Sequence, residues 1–240
     1  MKIKQKILEI FDKIIPPKNK CLICSKEMFL DKEKHICFEC ENALKPIGKS
    51  CIKCGAELKD LSTICDFCKD KKREFKMAIS CFNFDDFTRK IIHKFKYGFG
   101  EYLSPLLAKF MAEKVVDFKV DFDYILYVPM TEKSKRKRGY NQSKLLACEI
   151  GKFLDKQVLN DVLFKIGKTK NQASLGYNDR LKNLRDSFVV ANKDVLKGKK
   201  ILLVDDVFTT GATAEEISRV LKLAKAKEVN VITFCHTLLD

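Results

Sequence analysis

The sequence lacks any long hydrophobic run. No 18-residue window is apolar throughout, so we expect no transmembrane helix. The first 15 residues, MKIKQKILEIFDKII, carry charges along their length and no small-residue cleavage site follows, which argues against a signal peptide. Acidic residues are few as well: 32 Asp and Glu face 47 Lys and Arg, for a net charge of +15. We therefore expect a cytoplasmic protein whose basic surface attracts polyanions.

A phosphate-binding P-loop is also missing. Residues 43–50, ALKPIGKS, fit a relaxed form of that pattern, but Pro46 lies inside the segment, and Cys40 and Cys51 flank it. A P-loop needs a strand before it and a helix after it, with its backbone N–H groups wrapped around phosphate. We interpret the segment as a linker, so the sequence does not indicate a Walker-type nucleotide hydrolase.

Residues 1–17 are predicted to form an amphipathic helix, which ends at Pro16 and Pro17. The helix either packs on the protein itself or lies on a membrane or a partner as a basic amphipathic element. We favour the first, since short amphipathic helices mostly face a core. The apolar positions at helical spacing are Ile3, Ile7, Ile10, Phe11 and Ile14.

Eight of the 11 cysteines form four CxxC pairs within residues 21–68. Cytosolic thiols stay reduced, so repeated CxxC pairs indicate a metal site before a disulfide, and four copies argue against a thioredoxin-like redox motif. Two pairs complete a tetrahedral zinc site of four thiolates. If neighbouring pairs join, two structural zinc sites follow; an interleaved pairing and a single ion stay open. The predicted ligands are Cys21, Cys24, Cys37, Cys40, Cys51, Cys54, Cys65 and Cys68.

Residues 18–73 are thus predicted to be a small zinc-ribbon domain. His35 is an alternative ligand beside Cys37, but we expect it to be a bystander. The three remaining cysteines stand alone and are expected to be small buried apolar residues. They are Cys81, Cys148 and Cys235.

Beyond Arg73 the pattern changes to alternating strands and helices. Such alternation predicts an α/β fold in residues 74–240, with a mostly parallel sheet covered by helices on both faces. Ligands of such sheets bind beyond the carboxyl ends of the strands. The predicted strands are 78–84, 124–129, 187–191, 201–205 and 229–234, and the predicted helices cover 87–95, 104–116, 145–153 and 217–223.

The segment ILLVDDVFTTGAT, residues 201–213, lies at such a strand end. Asp205 and Asp206 end the predicted apolar strand, although repulsion and desolvation oppose adjacent carboxylates there. A loop rich in threonine then leads into a helix that is predicted to begin near Ala212. The helix N-terminus makes an anion cradle suited to a phosphate monoester. The two carboxylates suit a sugar diol, or a Mg²⁺ ion shared with it.

This segment resembles the phosphoribosyl pyrophosphate (PRPP) motif of type I phosphoribosyltransferases, with Ala212 where many members have Thr, Gly or Ser. Over roughly residues 15–240 the chain resembles the ComF (competence protein F) family, including its zinc ribbon, here doubled. The resemblance implies a Rossmann-like, type I phosphoribosyltransferase-like domain behind the zinc ribbon. The matching segments are RKIIHKFKYGFG at 89–100, VPMTEKSKRKRGYNQS at 128–143 and KNQASLGYNDRLKNLRDSF at 170–188.

The resemblance also implies that this domain binds PRPP with Mg²⁺. The two aspartates would hold the ribose hydroxyls, the loop after them the 5-phosphate, and backbone N–H groups after Pro129 the pyrophosphate. The basic residues of 133–138 would neutralise that leaving group, with Gly139 as the hinge of a flap; the alternative is a solvated loop. The predicted ligand-binding residues are Pro129, Met130, Lys133, Arg138, Asp205, Asp206, Val207, Thr209, Thr210, Gly211, Ala212 and Thr213.

Two functions are consistent with these features. The ComF resemblance implies handling of incoming single-stranded DNA in natural transformation, with a competence helicase or membrane-associated DNA-uptake machinery as partners, in the cytoplasm or at the inner face of the membrane. The alternative is an active phosphoribosyltransferase with an unidentified, nucleobase-like acceptor; the sequence names no general base for it. Salt-sensitive binding of single-stranded DNA that depends on the basic residues of 69–73 or 133–138 would favour the first.

Overall fold

The computed structural model describes residues 2–14, 20–28, 35–97, 99–166 and 183–237. The helices in these ranges are α1 (Lys2–Ile14), α2 (Phe38–Ala43), α3 (Asp66–Lys69), α4 (Asp86–Lys96), α5 (Ser104–Asp117), α6 (Glu132–Arg138), α7 (Gln142–Leu154) and α8 (Ala212–Leu223). The strands are β1 (Met77–Asn83), β2 (Tyr124–Tyr127), β3 (Leu163–Lys165), β4 (Phe188–Val190), β5 (Lys200–Phe208) and β6 (Glu228–His236). Short 3-10 turns cover Gly100–Leu103 and Asp194–Leu196.

The central sheet of the described residues has the strand order β1-β6-β5-β2, and every pairing in it is parallel. This confirms the predicted parallel sheet. The prediction that β5 ends at the two aspartates is wrong, because Val207 and Phe208 still pair with Cys235 and His236 of β6. Conversely, β2 is shorter than predicted and stops at Tyr127.

One predicted strand, 187–191, lies outside this sheet. It is β4, which pairs antiparallel with β3 in a separate hairpin. Phe188 and Val190 are buried while Val189 is 42% exposed, so only one face of β4 packs. One-sided burial is typical of an antiparallel hairpin, whereas the central strands are buried on both faces. Most of the 170–188 segment lies outside the described residues.

Two apolar layers cover the sheet. One layer contains buried residues of α1, α4, α5 and α7, together with Cys21 and Cys40. The other layer contains buried residues of α8 and of the β3–β4 hairpin, together with Cys51, Cys54 and Cys68. Ile7 of α1 is fully buried, and α1 contacts α5 and α7. The N-terminal helix therefore packs on the protein itself, as expected. No helix in the described ranges is long and apolar enough to cross a bilayer.

Candidate functional site

The carboxylates of Asp205 and Asp206 are held by two different helices. Asp206 is 8% exposed, and its Oδ2 lies 2.7 Å from the Nζ of Lys96, the last residue of α4. Asp205 Oδ1 accepts hydrogen bonds from the Ser143 hydroxyl on α7, at 2.8 Å, and from the Asp206 backbone N–H, at 2.9 Å. Both helices belong to the same apolar layer, although successive residues of a strand face opposite sides of the sheet.

Burial and neighbouring charges shift the pKa of Asp205 and that of Lys96. Burial raises the pKa of Asp205 to about 7, and the charge of Asp206 adds to the rise, while Ser143 and Lys96 oppose it. Burial alone lowers the pKa of Lys96, but the charges of Asp206 and Asp205 outweigh burial and raise that pKa overall. Lys96 therefore stays cationic and neutralises one carboxylate of the two. The remaining acceptor oxygens fit a divalent cation or a sugar diol, which are the groups the sequence predicts here.

The turn of residues 209–213, which we call the α8 loop, connects β5 to α8 at Ala212 as predicted. Gly211 has a φ of +79°, and a Cβ there would lie 2.5 Å from the ring of Phe208. Only glycine fits this combination of a left-handed backbone and a close contact. Thr210 Oγ1 accepts from the Ala212 N–H at 3.4 Å, so this hydroxyl partners the first N–H group of α8.

Five of the predicted ligand-binding residues line one small cavity of about 30 Å³ under the α8 loop. They are Asp205, Val207, Thr209, Gly211 and Thr213. The positive end of the α8 dipole and its first N–H groups lie beside this cavity, which suits a phosphate group. The structure thus brings the acidic residues and the candidate anion cradle together at one end of β5.

The basic segment after β2 is not the loop that the sequence predicts. Its residues form α6, which Thr131 caps by accepting a hydrogen bond from the Ser134 N–H at 3.2 Å. A run of Lys and Arg without β-branched residues favours a helix, and these cations lie where they interact well with the helix C-terminus. Gly139 ends the helix with a φ of +86°. The side chain of Lys133 is exposed, whereas Arg138 is half-buried. Pro129 and Met130 connect β2 to α6.

Arg138 joins α6 to the end of α4. One guanidinium nitrogen donates to the Tyr97 hydroxyl at 3.3 Å and another to Gln142 Oε1 at 3.2 Å. The guanidinium also lies 5.3 Å from the centre of the Tyr97 ring. Asn141 bonds the backbone carbonyl of Val128 and caps α7. The RGYNQS segment therefore positions α6 and α7 around the carboxylates.

Sequence reasoning missed two residues that contact the acidic pair. Lys96 and Ser143 both lie in segments that resemble the ComF family, but neither received a role, because nothing in a linear pattern shows which polar residue faces Asp205 or Asp206. The sequence did offer one signal, since Lys96 lies at the end of a predicted helix and Asp205 and Asp206 lie at the end of a later predicted strand. The sequence also did not predict β3, the partner of β4 in the hairpin. This strand brings Lys165 close enough to Asp205 for their charges to interact.

The eight predicted zinc ligands form two separate clusters, with neighbouring CxxC pairs joined. We call Cys21, Cys24, Cys37 and Cys40 the first cluster, and Cys51, Cys54, Cys65 and Cys68 the second cluster. Within each cluster the sulfur atoms all lie within 4.8 Å of one another.

Both clusters fit a tetrahedral zinc ion. The sulfur atoms of Cys24 and Cys37 are 3.7 Å apart and those of Cys54 and Cys65 are 3.6 Å apart. Four thiolates at zinc-bonding distance in a tetrahedron have sulfur separations of about 3.8 Å. Four sulfurs converge in each cluster, so His35 is not needed as a ligand. Of the lone cysteines, Cys81 and Cys235 are buried as expected, and Cys148 is half-buried.

The site and fold define a phosphoribosyltransferase-like domain with a cysteine-rich front. In agreement, residues 154–238 match the family described as the phosphoribosyl transferase domain. Competence protein F of Haemophilus influenzae is 28% identical over 218 residues, covering 88% of this chain and 94% of that protein. Competence protein ComFC of Streptococcus pneumoniae is 25% identical, covering 89% of this chain and 98% of its own length. The chain is therefore similar to competence proteins F and ComFC over about nine-tenths of its length, in agreement with the resemblance of its motifs.

Two further proteins are similar to this chain. The DNA utilization protein YhgH of Salmonella typhimurium is 26% identical over 91% of this chain and 97% of that protein. Among solved structures, the glutamine PRPP amidotransferase of B. subtilis covers 58% of this chain and 30% of its own, at 22% identity and a TM-score of 0.41.

Proposed function

We propose that the protein binds PRPP as its Mg²⁺ complex at the end of β5 and handles single-stranded DNA on an adjacent basic face. The observation that carries the first half is the arrangement of Asp205 and Asp206 next to the α8 loop. The carboxylate oxygens, which can bind a diol and a cation, then lie one short loop away from the N-terminus of α8, which can bind an anion. PRPP carries both groups, a ribose diol and a 5-phosphate, on one small molecule.

Each part of PRPP has a matching element in this proposal. The ribose hydroxyls lie against the two carboxylates, and the 5-phosphate lies in the α8 loop near Thr209 and Thr213. The pyrophosphate faces the turn between β2 and α6, which carries Pro129 and Met130. Mg²⁺, when bound, supplies charge neutralisation of the pyrophosphate. Lys96 must then share or release Asp206, since the diol and the ammonium compete for the same oxygen.

The DNA half rests on the exposed face of α4. Arg89, Lys90 and His93 are exposed there and line an open depression of about 430 Å³ with Lys94 and Tyr97. Two aromatic residues lie beside these cations, Tyr97 next to His93 and Tyr102 next to Lys94, and each is 42% exposed. Phe99 follows α4 in the sequence and is 89% exposed. Cations interleaved with exposed rings suit a single strand, whose phosphates pair with the cations and whose bases stack on the rings.

The basic residues of α6 extend this face. Lys133, Lys135, Arg136 and Lys137 are exposed, and Arg138 links α6 to Tyr97. The predicted DNA contact at 69–73 is less suitable, because the Arg73 side chain is only 2% exposed and pairs with Glu215. We therefore assign the strand to the α4 and α6 face.

The names of the relatives support this assignment. Two are competence proteins and one is a DNA utilization protein. A cytoplasmic location, at the inner face of the membrane beside the DNA-uptake machinery or a competence helicase, belongs to the same proposal.

The first experiment measures PRPP binding by calorimetry with Mg²⁺ for the wild-type protein and for Asp205→Asn/Asp206→Asn. We expect the double variant to lose binding and keep its circular dichroism spectrum. The matched control is Asp155→Asn/Asp161→Asn, which removes two exposed carboxylates at left-handed positions that Asn also tolerates. Equal affinity in the wild type and the first variant would overturn the assignment of the site.

The second experiment measures binding of a fluorescent oligonucleotide at several salt concentrations. Arg89→Gln/Lys90→Gln/Phe99→Ala should weaken binding about tenfold or more, since phosphate contacts and base stacking are lost together. The control Lys193→Gln/Lys197→Gln/Leu223→Ala removes the same kinds of exposed groups elsewhere. Equal loss in both variants would show that only the overall charge matters.

An active phosphoribosyltransferase is the second candidate function, supported by the match of residues 154–238 to the phosphoribosyl transferase domain. Release of pyrophosphate from Mg²⁺·PRPP, in the presence of nucleobases or single-stranded DNA, distinguishes it. Acceptor-dependent release that disappears in the aspartate variant would make the protein an enzyme. Binding of PRPP without release favours a ligand-gated DNA-handling protein.

A further inference from the structure

The second cluster is connected to the first turn of α8 by one buried arginine. The Arg73 side chain is 2% exposed, and one of its guanidinium nitrogens donates to the Cys68 sulfur at 3.8 Å. Another lies 3.7 Å from Oε2 of Glu215, in the first turn of α8. Glu215 Oε1 also accepts a hydrogen bond from the Glu74 backbone N–H at 3.0 Å. A metal-binding thiol and the helix that begins at the α8 loop therefore share a single cation.

A row of aromatic rings runs beside this ion pair. The Arg73 guanidinium lies 5.5 Å from the ring centre of Phe67, within the second cluster, and 5.4 Å from that of Phe75. Phe75 packs edge-on against Phe208 with ring centres 6.1 Å apart. The Phe208 ring in turn fills the space under Gly211, where a Cβ would not fit. Contacts therefore continue from the second cluster to the α8 loop.

We propose that Arg73 is a positioning residue for the α8 loop, and that the second cluster with its metal bound holds Arg73 in place. The ligand part of this inference rests on the proposed function, in which the α8 loop receives the 5-phosphate. The zinc ribbon is then part of the support of the ligand site. Groups beyond the direct ligands of a metal often matter in this way, because they fix orientation through charged hydrogen bonds.

Arg73 acts on the α8 loop in two ways. Its stacking between Phe67 and Phe75 fixes the ring that lies under Gly211. Its charge also neutralises Glu215, whose carboxylate would otherwise stand close to the N-terminus of α8 and repel an anion there. Loss of the charge alone and loss of the stacking therefore have separable consequences.

The experiment uses the zinc-loaded, full-length protein and compares Arg73→Gln with Lys76→Gln. The control removes the ion pair between Lys76 and Glu228, which is 3.0 Å long and whose lysine side chain is 62% exposed. The first readout is amide hydrogen exchange of residues 208–215 without ligand, and the second is the Kd for Mg²⁺·PRPP. Bound zinc is measured in each sample.

We expect Arg73→Gln to raise both the exchange rate of 208–215 and the Kd about tenfold, with zinc content unchanged, and Lys76→Gln to change neither. Arg73→Gln/Glu215→Gln should recover part of the affinity, since the unpaired carboxylate is gone, while exchange stays fast. Recovery of affinity is not expected if Arg73 only stabilises the fold.

Unchanged exchange of 208–215 in Arg73→Gln would overturn the inference, whatever PRPP does. If exchange is fast in Arg73→Gln but the wild-type protein does not bind PRPP, Arg73 still positions the α8 loop and the proposed ligand is rejected instead. If Arg73→Gln does not fold, Arg73→Lys replaces it, since it keeps the positive charge but loses the guanidinium that contacts Phe67 and Phe75. Exchange of 208–215 at the wild-type rate in that variant would likewise overturn the inference.

Discussion

The first and second clusters share one design. Each begins with a turn that is closed by one isolated antiparallel bridge, Lys20 with Glu27 and Ser50 with Glu57. In each turn a residue with positive φ follows the second cysteine, Ser25 at 64° and Gly55 at 78°. Each cluster also has a short helix, α2 or α3, that begins after its third cysteine. Two copies of the same metal-binding unit are therefore present.

The two copies differ in what surrounds them. Cys24 of the first cluster is exposed, and this cluster meets α4 through a hydrogen bond from Lys94 to the carbonyl of Ile23 at 3.0 Å. Cys54 and Cys68 of the second cluster are fully buried. The first cluster thus borders the proposed DNA face, and the second supports the α8 loop. Burial, more than ligand identity, decides how strongly the remaining fold depends on each metal.

Removal of two ligands from each cluster should separate them most clearly. We expect Cys51→Ser/Cys54→Ser to lose one cluster's zinc, to abolish PRPP binding and to unfold about 10 °C or more below Cys21→Ser/Cys24→Ser, because three thiols of the second cluster are buried and only two of the first. The first-cluster variant should unfold only its own module and weaken binding of single-stranded DNA. Zinc content, thermal unfolding and both binding assays test this. Equal effects on PRPP binding would contradict the comparison.

The turns of the two clusters should respond differently to one methyl group. A Cβ at Gly55 would lie 2.7 Å from the carbonyl oxygen of Ala78 on β1, and the backbone there is left-handed. We expect Gly55→Ala to destabilise the protein by about 1–3 kcal/mol. Ser25 already carries a side chain at the equivalent position, so Ser25→Ala should cost less than about 0.5 kcal/mol. Urea denaturation measures both, and similar costs would show that the turns are equally constrained.

The two aspartates extend the comparison, since Asp206 meets α4 and Asp205 lies beside the cavity under the α8 loop. The folded state holds a proton on Asp205 up to about pH 7, well above its ordinary value of 3.8. Its contribution to stability is therefore full below about pH 4 and is lost as the pH rises to about 7. Binding of Mg²⁺·PRPP needs the ionised carboxylate, so affinity should rise over the same interval.

Asp205→Asn should remove this dependence from the stability curve, which is measured by urea denaturation between pH 4 and 8. An unchanged slope in that variant would assign the titration to another group.

The smallest effect is expected at the surface of the first cluster. Lys26 and Glu39 form a pair at 2.8 Å, but their side chains are 65% and 67% exposed. Such pairs contribute little, since water screens them and two long side chains must be ordered. Glu39→Gln should leave the thermal midpoint and zinc content unchanged, whereas the buried counterpart, Glu215→Gln, should alter the α8 loop. A measurable loss of zinc in Glu39→Gln would show that this carboxylate supports the Cys37 thiol, 3.9 Å away.

Local chemistry was readable without the fold. The CxxC spacing predicted the ligands, because two residues between thiols place both on one ion, but it left open which pairs join. The strand, acidic pair, loop and helix of 201–213 predicted a ligand site, because carboxylates and helix ends have that chemistry wherever they meet. Even here the end of β5 was misplaced, since pairing with β6 extends the strand beyond the point where apolar residues stop.

The tertiary structure alone decided which groups meet across the chain. Lys96 reaches Asp206, Ser143 reaches Asp205, and Arg73 reaches Glu215 over 142 positions of sequence, and no spacing rule relates such pairs. Which cluster is buried was equally hidden, because both have the same ligands and nearly the same turn. The sequence by itself determined the chemistry of each site. The packing of two layers on one parallel sheet determined which cluster supports the α8 loop and which borders the basic face.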